Sequence, residues 1–476
     1  MSGQARVPVE NRRKRMQRLH FVGIGGSGMS GIAEVYLNLG YHVSGCDARE
    51  NKATRRLREL GAEIFIGHDE GHVKESDVLV VSSAIKKDNT ELLAAHRQRL
   101  PVVPRAEMLG ELMRYRYGIA VAGTHGKTTT TSLIAHLLAV AGLDPTFVIG
   151  GILNSAGTNA RLGAGEFLVA EADESDASFL YLNAMISIVT NIDADHLSTY
   201  EGEFERLKET FIEFLHHLPF YGAAILCVDD EEIRRILPAI TRTIVTYGVE
   251  HKADFMALNI RQSGHVTEFD VQVPGGADLI PARLHMPGLH NVQNALAAVA
   301  VAFELGIDAE KIQQGLDSFQ GIGRRFQEHG EILAPGGRAL LVDDYAHHPR
   351  EIRATMDGAR QGWPDRRLVV VFQPHRYSRT RDLFDDFVQV LSAADVLVLS
   401  EVYPAGEQPI HGADSHAMAR AIRARGKIDP ILVNQIEDLG STLEGVVREQ
   451  DLVLTMGAGN IGTVSAELPE YFASRR

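Results

Sequence analysis

The sequence predicts an α/β protein of three domains, with parallel sheets flanked by helices. The first observation is length, because 476 residues at roughly 150 residues per domain give about three domains. The second is a recurring pattern in which short apolar runs end in glycine-rich or polar segments and a helix-like pattern follows. We place the boundaries so that the domains cover residues 1–115, 116–320 and 321–476.

Composition and charge exclude several classes of protein. Hydrophobic residues make up 45% of the chain and charged residues 23%, which is ordinary for a globular protein. No apolar run approaches the roughly 20 residues that cross a bilayer, and no secretory signal follows the basic residues 12–15, so we expect a cytoplasmic protein without membrane insertion. The formal charge of −14 argues against nucleic-acid binding. Cys46 and Cys227 form no pair with metal-ligand spacing and are predicted to be buried small residues.

The first domain begins with a strand, a glycine-rich turn and a helix. Residues 19–22 are predicted as a strand, residues 23–28 fit G-x-G-x-x-G, and a helix-like pattern covers residues 29–39. This is typical of a Rossmann unit that binds a pyrophosphate, from NAD or from a UDP group, at the helix N-terminus. The pattern recurs at residues 457–462, so it does not by itself identify a dehydrogenase. The candidate substrate-binding residues are Gly25, Gly26, Ser27, Gly28, Met29, Asp47, and Ser82 and Ser83 after a strand at residues 78–81.

The central domain carries a glycine-rich loop between a strand at residues 118–121 and a helix at residues 129–140. Such a turn aims several backbone N–H groups at a phosphate, while Lys127 would reach the terminal phosphates and Thr128 would bind Mg²⁺. The glycine that opens the common P-loop pattern is replaced by Val121, so the alternative is a glycine turn with an incidental lysine. The candidate ATP-binding residues are Gly123, Thr124, His125, Gly126, Lys127, Thr128 and Thr129.

Two further strands of the central domain end in acidic or imidazole side chains. Glu171 follows the strand at residues 167–170, and His196 closes the segment after the strand at residues 185–190. Taking these strands as adjacent, we expect Glu171 and His196 to hold a second metal ion beside the Mg²⁺ on Thr128.

An alanine-rich helix farther along the central domain begins near two asparagines. The side chains of Asn291 and Asn294 offer both donors and acceptors, which suits the edge of an adenine ring. Helix capping is the alternative for Asn291. We therefore include both among the candidate ATP-binding residues.

The third domain repeats the strand-to-helix pattern with basic and aromatic residues at the strand ends. Two strands, at residues 339–342 and 368–372, are predicted to end side by side, each before a helix. Arginine and histidine at such ends suit bidentate recognition of a carboxylate or phosphate, although a solvated basic face is the alternative. The candidate substrate-binding residues here are Tyr345, His347, His375, Arg376 and Arg379.

Taken together, these segments resemble the Mur ligases over nearly the whole chain, from residue 21 to residue 462. The matching segments are residues 123–130, 171–176, 191–196, 288–294, 323–326, 343–349 and 373–381. The resemblance implies an N-terminal Rossmann-like domain for a UDP group, a central P-loop ATPase-type domain with a mostly parallel sheet, and a C-terminal Rossmann-like domain with amino-acid and ATP contacts. It favours UDP over NAD at residues 23–28.

The resemblance also implies a reaction. The match is best to family members that join L-alanine to the lactyl carboxylate of UDP-N-acetylmuramate in peptidoglycan biosynthesis, while ATP becomes ADP and phosphate through an acyl-phosphate intermediate. UDP-N-acetylmuramate and L-alanine are then the expected partners, ATP and Mg²⁺ the expected cofactors, and Arg325 an ATP contact. Lys127, His347 and Arg376 are the implied catalytic residues, with His347 as the base or positioning group for the amine.

Two alternative functions remain open. A murein tripeptide recycling ligase would use the same UDP-sugar acceptor, and a non-catalytic nucleotide-binding module would share the nucleotide sites without turnover. A dehydrogenase has no use for Lys127 and Thr128, and a P-loop GTPase would need an Asn-Lys-x-Asp motif that the sequence lacks. Several Mur ligases hold a metal with a carbamylated lysine, but Lys208 lacks the usual surroundings, so we do not expect its carbamylation.

Overall fold

The chain forms three α/β domains, each built on one sheet, in agreement with the predicted fold class. The computed structural model describes residues 16–82, 85–276 and 279–474. By its internal packing the chain divides into two compact units. The first comprises Met1–Met256, Gln272–Ala277 and Asn294–Leu316, and the second Ala257–Val271, Asp278–Gln293 and Asp317–Arg476. The domain boundaries near residues 115 and 320 stay a prediction.

The first sheet has five parallel strands and carries the glycine-rich turn. The strands are β1 (Arg18–Val22), β2 (His42–Asp47), β3 (Glu63–Ile66), β4 (Val78–Val81) and β5 (Val102–Pro104). The helices are α1 (Ser27–Asn38), α2 (Lys52–Glu59), α3 (Thr90–Gln98) and α4 (Arg105–Met113). The order β3-β2-β1-β4-β5 places β1 at the centre, so the turn that follows it lies at the carboxyl edge, where open α/β sheets bind ligands.

The second sheet has ten strands and is mostly parallel. The strands are β6 (Tyr117–Ala122), β7 (Thr146–Leu153), β8 (Thr158–Arg161), β9 (Phe167–Glu171), β10 (Ile186–Val189), β11 (Ala223–Cys227), β12 (Thr243–Gly248), β13 (Phe255–Ser263), β14 (Val266–Gln272) and β15 (Ile280–Leu284). The helices are α5 (Lys127–Val140), α6 (Phe204–His216), α7 (Glu231–Ile236), α8 (Leu289–Glu304) and α9 (Ala309–Asp317). The strand order is β15-β14-β13-β12-β11-β10-β6-β9-β7-β8, and β8 and β15 run antiparallel to their neighbours.

The expected adjacency of β9 and β10 is wrong, because β6 lies between them and pairs with both. Sequence order does not reveal which strand a crossover connection inserts between two others. The consequence is that the strand leading into the ATP-loop candidate is flanked on one side by the strand ending in Glu171 and on the other by the strand preceding His196. Acidic and imidazole side chains therefore follow the strands on either side of that loop.

The third sheet has six strands, of which only β16 is antiparallel to its neighbour in the part of the chain that the structure describes. The strands are β16 (Gln327–Ala334), β17 (Gly337–Asp344), β18 (Leu368–Phe372), β19 (Val396–Ser400), β20 (Ile431–Val433) and β21 (Asp451–Met456). The helices are α10 (Pro349–Gly362), α11 (Tyr377–Asp382), α12 (Phe384–Leu391), α13 (Ser415–Ala424), α14 (Leu439–Glu444) and α15 (Ile461–Ala473). The strand order is β16-β17-β21-β18-β19-β20.

The strands predicted as neighbours in this domain, β17 and β18, are also separated, because the last strand β21 lies between them. A second difference concerns the basic segment after β18, which was predicted to precede a helix. Arg379 and Arg381 lie within the short helix α11 instead. Arg376 remains in the loop, immediately before that helix.

Most predicted elements are present, with shifted ends. Strands β4 and β18 match the predicted residues, whereas α1 and α5 begin two residues earlier than predicted. The glycine before each helix takes the cap position, so the first polar residues already belong to the first turn. Strands β3, β5, β7, β8, β13, β15, β16, β19 and β20 were not predicted; β7 contains two glycines, which weaken a strand pattern. None of the helices in the described residues combines the length and the apolar character needed to cross a membrane.

Candidate functional site

The glycine turn after β1 is held by the end of β2. The N–H of Gly23 donates to the carbonyl oxygen of Cys46 at 2.8 Å, and the N–H of Gly25 donates to Oδ2 of Asp47 at 2.9 Å. Gly26 is the N-cap of α1 and offers no side chain, so that end of the helix is open to an anion. Asp47 fixes the turn, and its predicted contact with a substrate stays a prediction.

The other predicted residues of the first domain lie near the same turn. Ser27 is the first residue of α1, and Met29, two residues later in the same helix, is buried at 2% exposure. A side chain added to Gly23 would approach Oγ of Ser82 at 3.9 Å, so Ser82 lies beside the turn. Ser83 falls outside the described residues.

Arg105 is a basic residue at this turn that the sequence reasoning missed. A Cβ added to Gly28 would lie 2.2 Å from Nη1 of Arg105, so the guanidinium covers the first turn of α1. Its Nη2 donates to Oδ2 of Asp173 at 3.1 Å. A guanidinium over an uncapped helix N-terminus suits a phosphate, because its planar donors match phosphate oxygens.

The loop between β6 and α5 is clamped by the residues that follow β10. Gly123 and Gly126 have φ of 125° and 82°, in the region that favours glycine. A Cβ on Gly123 would lie 2.1 Å from Oγ1 of Thr190. The side chain of Asn191 accepts from the N–H of His125 at 2.8 Å and donates to its carbonyl at 3.0 Å. The loop is therefore preorganised by tertiary contacts.

The remaining loop residues are held in the same way. Oγ1 of Thr124 accepts from the N–H of Asp193 at 2.9 Å, and Nε2 of His125 lies 3.2 Å from Oδ2 of Asp193. Thr128 and Thr129, in the first turn of α5, are 9% and 4% exposed. All seven residues predicted around this loop thus belong to one strand–turn–helix segment.

Lys127 points back across its own loop in this structure. Its Nζ donates to the carbonyl oxygen of Gly123 at 2.7 Å and to Glu174 at 2.8 Å. Burial opposes the charged form, but the carboxylates of Glu174, Asp173 and Glu171 hold the pKa of Lys127 above its ordinary value. Burial raises the pKa of Glu174 to about 7, although the charge of Lys127 counteracts this. Lys127 therefore carries its positive charge beside the loop at which we expect the phosphates of ATP to bind.

The three candidate metal ligands lie in the first compact unit, on or after the elements that flank this loop. Thr128 is in the first turn of α5, and Glu171 ends β9, where its Oε1 accepts from the N–H of Gly150 at 2.7 Å. His196 has a left-handed φ of 54°, and its Nε2 lies 3.5 Å from Oδ2 of the preceding residue, Asp195. Hydroxyl and carboxylate oxygens beside a phosphate loop fit a hard cation such as Mg²⁺.

The two predicted asparagines have different surroundings. Oδ1 of Asn294 accepts from Oγ1 of Thr130 at 3.2 Å, and a Cβ on Gly126 would lie 2.6 Å from that oxygen. Asn294 therefore packs on the ATP-loop candidate. Nδ2 of Asn291 donates to the carbonyl oxygen of Pro287 at 2.8 Å, so this side chain holds the turn before α8.

The second unit brings several of the predicted aromatic and histidine side chains together. Nδ1 of His347 lies 3.1 Å from the carbonyl oxygen of Tyr345, and the rings of His347 and His375 are 6.0 Å apart. The ring of His375 stacks on Tyr403 at 5.6 Å with an interplanar angle of 8°. When Nδ1–H of His347 donates to that carbonyl, its Nε2 carries the lone pair and can accept a proton.

Both histidines are neutral at neutral pH. Burial lowers the pKa of His347, and the nearby Arg379 lowers it further, while Glu351 opposes them. Burial lowers the pKa of His375 to about 4, with the charges of Arg379 and Arg376, and of His347 when it is protonated, acting in the same direction. A neutral imidazole is the form that a general base requires.

Three arginines of the second unit complete the predicted set. The guanidinium carbon of Arg325 lies 5.2 Å from the centre of the Tyr345 ring, a cation–π contact. Arg376 has a φ of 69°, rare for a residue with a side chain, and its N–H donates to the carbonyl oxygen of Tyr403 at 2.9 Å. Arg379 is 9% exposed in α11. Such strained backbone occurs often at functional sites.

Three models of one family match consecutive parts of the chain. They are the Mur ligase family catalytic domain at residues 18–117, the Mur ligase middle domain at residues 121–302, and the Mur ligase glutamate ligase domain at residues 324–459. The solved UDP-N-acetylmuramate-alanine ligase of Thermotoga maritima is 30% identical over 96% of this chain and 100% of that chain, with a TM-score of 0.81. The chain belongs to the Mur ligase family.

Other solved Mur ligases share the architecture. A murein peptide ligase from Psychrobacter arcticus is 26% identical, covers 95% of this chain and 98% of that chain, and has a TM-score of 0.70. The MurF ligase of Thermotoga maritima in complex with ADP, 16% identical over 91% of this chain and 96% of that chain with a TM-score of 0.63, shares the fold. As a Mur ligase this protein is an ATP-dependent, amide-bond-forming enzyme of peptidoglycan biosynthesis that acts on UDP-sugar substrates.

The sequence analysis missed Glu174 and Arg105, and only one of these residues has a signal in the sequence. Glu174 stands in the acidic run that starts at Glu171, and choosing only the first carboxylate overlooked the one that contacts Lys127. Arg105 is the first residue of α4, which contains no recognisable motif, and its proximity to Gly28 depends on tertiary packing. Only the first of these could have been found from the sequence.

Lys208 is engaged with carboxylates in the central domain. Its Nζ lies 2.5 Å from Glu205 and 3.1 Å from Glu232, and its side chain is 9% exposed. Carbamylation would replace this cation by an anion beside two carboxylates, which is electrostatically unfavourable. The absence of carbamylation at Lys208 stays a prediction.

Proposed function

We propose that this Mur ligase joins L-alanine to the lactyl carboxylate of UDP-N-acetylmuramate, with ATP converted to ADP and phosphate. The observation that carries the proposal is the full-length similarity to the Thermotoga maritima UDP-N-acetylmuramate-alanine ligase, at 30% identity and a TM-score of 0.81. The murein peptide ligase from Psychrobacter arcticus scores lower on both measures, 26% and 0.70. The reaction would take place in the cytoplasm, where ATP and UDP-sugars are present.

The first step of the proposed reaction activates the carboxylate. The γ-phosphoryl group of ATP is transferred to a carboxylate oxygen, giving an acyl phosphate and ADP. Phosphoryl transfer depends mainly on positioning and on neutralising charge. Lys127 would move from Glu174 to the phosphates, and the raised pKa of Glu174, about 7, allows this carboxylate to take up a proton when the lysine leaves.

Mg²⁺ would supply further charge neutralisation at the phosphates. We propose that Thr128 binds this ion and that Glu171 and His196 hold a second metal ion, since all three residues lie on or directly after the elements around the ATP loop.

The second step forms the amide bond. The neutral amine of L-alanine attacks the acyl phosphate through a tetrahedral intermediate, and phosphate leaves. We propose His347 as the group that removes or holds the amine proton, supported by its lowered pKa and its fixed Nδ1 contact with Tyr345. Arg376 and Arg379 would hold the alanine carboxylate or a phosphate, while Tyr345 and His375 would border the substrate.

The UDP group would bind at the turn after β1. The proposed contacts are the uncapped N-terminus of α1 and the guanidinium of Arg105, both suited to the pyrophosphate. Gly25, Gly28, Asp47 and Ser82 would shape this pocket. For ATP, Asn291, Asn294 and Arg325 stay proposed contacts on the strength of the family resemblance.

The murein peptide ligase reaction is the second candidate, because the Psychrobacter arcticus enzyme covers 95% of the chain. The test supplies ATP, Mg²⁺ and UDP-N-acetylmuramate, and measures phosphate release and the ligated product with L-alanine, glycine, L-serine, D-glutamate or a murein tripeptide. We expect the highest kcat/KM with L-alanine. A preference for the tripeptide would overturn the substrate assignment and keep the ligase class, whereas no phosphate release with any of these amines would indicate a non-catalytic nucleotide-binding module.

A further inference from the structure

Four side chains in the first domain surround one buried carboxylate. We call this group the Glu91 cluster and define it as His20, Cys46, His68, His72 and Glu91. Sγ of Cys46 lies 2.8 Å from Oε2 of Glu91 and 3.2 Å from Nδ1 of His68. Nδ1 of His68 is 3.0 Å, and Nδ1 of His72 is 2.6 Å, from the same carboxylate. Nε2 of His20 approaches it at 3.7 Å.

The cluster is assembled from separate elements. His20 lies on β1, Cys46 on β2 and Glu91 on α3, and all three are fully buried. His68 and His72 follow β3 and keep side-chain exposures of 31% and 17%, which leaves a route from solvent. Tertiary folding thus concentrates three imidazoles, a thiol and a carboxylate at one point.

The ring of His20 is already oriented as a ligand would be. Its Nδ1 lies 2.9 Å from Oγ of Ser44, while its buried Nε2 makes no hydrogen bond within the described residues. If Nδ1–H donates to Ser44, Nε2 directs a lone pair into the cluster. Metal-ligating histidines commonly donate a hydrogen bond from the other ring nitrogen, which fixes their tautomer.

The separations match those of a small tetrahedral site. Candidate donor atoms of His20, Cys46 and Glu91 all lie within 4.8 Å of one another. Zinc bonds of about 2.0 to 2.3 Å at tetrahedral angles place ligand atoms roughly 3.3 to 3.7 Å apart. The 3.7 Å between Nε2 of His20 and Oε1 of Glu91 lies in this range, and the 2.8 Å between Sγ of Cys46 and Oε2 of Glu91 is somewhat shorter. Nitrogen and sulfur donors favour Zn²⁺ over Mg²⁺, which prefers oxygen.

We propose that the Glu91 cluster is a Zn²⁺ site, with Cys46, His20 and Glu91 as ligands and His68 or His72 as the fourth. On binding, the thiol of Cys46 releases its proton to solvent and coordinates as a thiolate. The ring of His72 is held for this role by stacking on Phe65 at 4.2 Å.

The proposed site adjoins the glycine turn without being part of it. The carbonyl oxygen of Cys46 accepts from the N–H groups of Gly23 and Ile24 at 2.8 and 3.0 Å. A metal on Cys46 would therefore rigidify the strand end that holds the turn. This is a structural or regulatory role, separate from the proposed Mg²⁺ at the ATP loop.

The test uses the full-length chain, stripped with a chelator and then titrated with Zn²⁺ in the presence of excess Mg²⁺. We expect one tightly bound Zn²⁺ per chain by elemental analysis. Co²⁺ in place of Zn²⁺ should give tetrahedral d–d bands and a thiolate-to-Co²⁺ charge-transfer band. Absence of both tight Zn²⁺ binding and this band in the wild-type chain would overturn the proposal without any variant.

Variants then assign the ligands. Cys46→Ser should abolish the charge-transfer band and weaken Zn²⁺ binding at least about 100-fold, whereas Ser44→Ala, which removes an outer partner, should weaken it about 10-fold. Cys227→Ser is the matched control, because Cys227 is also a buried free cysteine. Retention of the band in Cys46→Ser, or its loss in Cys227→Ser, would contradict the assignment. Circular dichroism confirms that each variant is folded.

Discussion

At the scale of single residues, the most informative contact is the one between Lys127 and Glu174. Glu174 is buried and Lys127 is largely buried, with side-chain exposures of 4% and 18%, and the carboxylates of Asp173 and Glu171 add to the negative potential at the lysine. Leaving one partner of a buried pair without the other is usually costly, unless the remaining group can change its protonation. Glu174 can do so, because burial has already raised its pKa to about 7.

Replacing Lys127 tests the proposed role of the ATP loop. We expect Lys127→Ala to lower kcat by at least about 100-fold while the chain stays folded, since a cation at the transferred phosphoryl group is lost and Glu174 can be protonated. Phosphate release and circular dichroism measure the two effects. Lys311→Ala, at an exposed lysine of α9, is the control, and near-normal turnover of Lys127→Ala would remove this lysine from the mechanism.

The raised pKa of Glu174 predicts a pH dependence of stability. Between pH 4.5 and about 7 the folded state binds more protons at this group than the unfolded state does, so its contribution to the free energy of unfolding decreases as the pH rises. Glu174→Gln should remove that decrease. Urea denaturation at about pH 5 and about pH 8 compares the two proteins, and an equal pH dependence in both would contradict the assigned pKa.

At the scale of elements, the strand–turn–helix segment from β6 to α5 depends on glycine for two separate reasons. Gly123 and Gly126 both have positive φ, and a Cβ on either would collide with a side chain of another element, Thr190 or Asn294. The positive φ is a property of the local backbone, whereas the collision depends on tertiary packing. Their effects can be separated, because Gly142 after α5 also has a φ of 82° but has no atom within 4 Å of an added Cβ.

The comparison of Gly126→Ala with Gly142→Ala isolates the tertiary effect. Both variants incur the roughly 1 to 2 kcal/mol cost of a left-handed backbone with a side chain. Gly126→Ala must also displace Asn294 from 2.6 Å, so we expect a further loss of stability and at least about tenfold weaker ATP binding. Urea denaturation and calorimetric titration with ATP measure these. Equal ATP affinity in both variants would show that the contact with Asn294 is unimportant.

At the scale of the whole molecule, the proposed ligands bind to different domains. ATP is assigned to the loop after β6, and the UDP group to the turn after β1, and both strands lie in the interior of their own sheets. A ligand that binds only the folded state stabilises it by about 2.7 kcal/mol at roughly 100 times its Kd. The increase in Tm that each ligand causes therefore measures binding at its own site.

This separation predicts how Lys127→Ala changes ligand stabilisation. ATP and UDP-N-acetylmuramate should each raise the Tm of the wild-type chain. In Lys127→Ala the shift with ATP should shrink markedly, while the shift with UDP-N-acetylmuramate persists, because Arg105 and the N-terminus of α1 are unchanged. Scanning fluorimetry with each ligand measures both shifts, and equal loss of the two would argue against separate sites.

Several strands and helices could be predicted from the sequence, but the order of the strands in each sheet could not. Residues 78–81 and 368–372 were predicted as strands and are β4 and β18, since both are continuous apolar runs. The predicted adjacency of β9 with β10, and of β17 with β18, failed because β6 and β21 are inserted between them. Apolar patterns report burial, whereas strand order depends on the crossover connections.

The sequence by itself determined the α/β class, the glycine turns, and the polar residues that follow the strands, because all of these depend on residues near one another in the chain. Only the tertiary structure decided that Arg105 covers Gly28, that Glu174 pairs with Lys127, and that His20, Cys46 and Glu91 meet. These contacts join residues separated by 26 to 77 positions in the sequence. Their formation depends on how whole strands and helices pack, which no local pattern specifies.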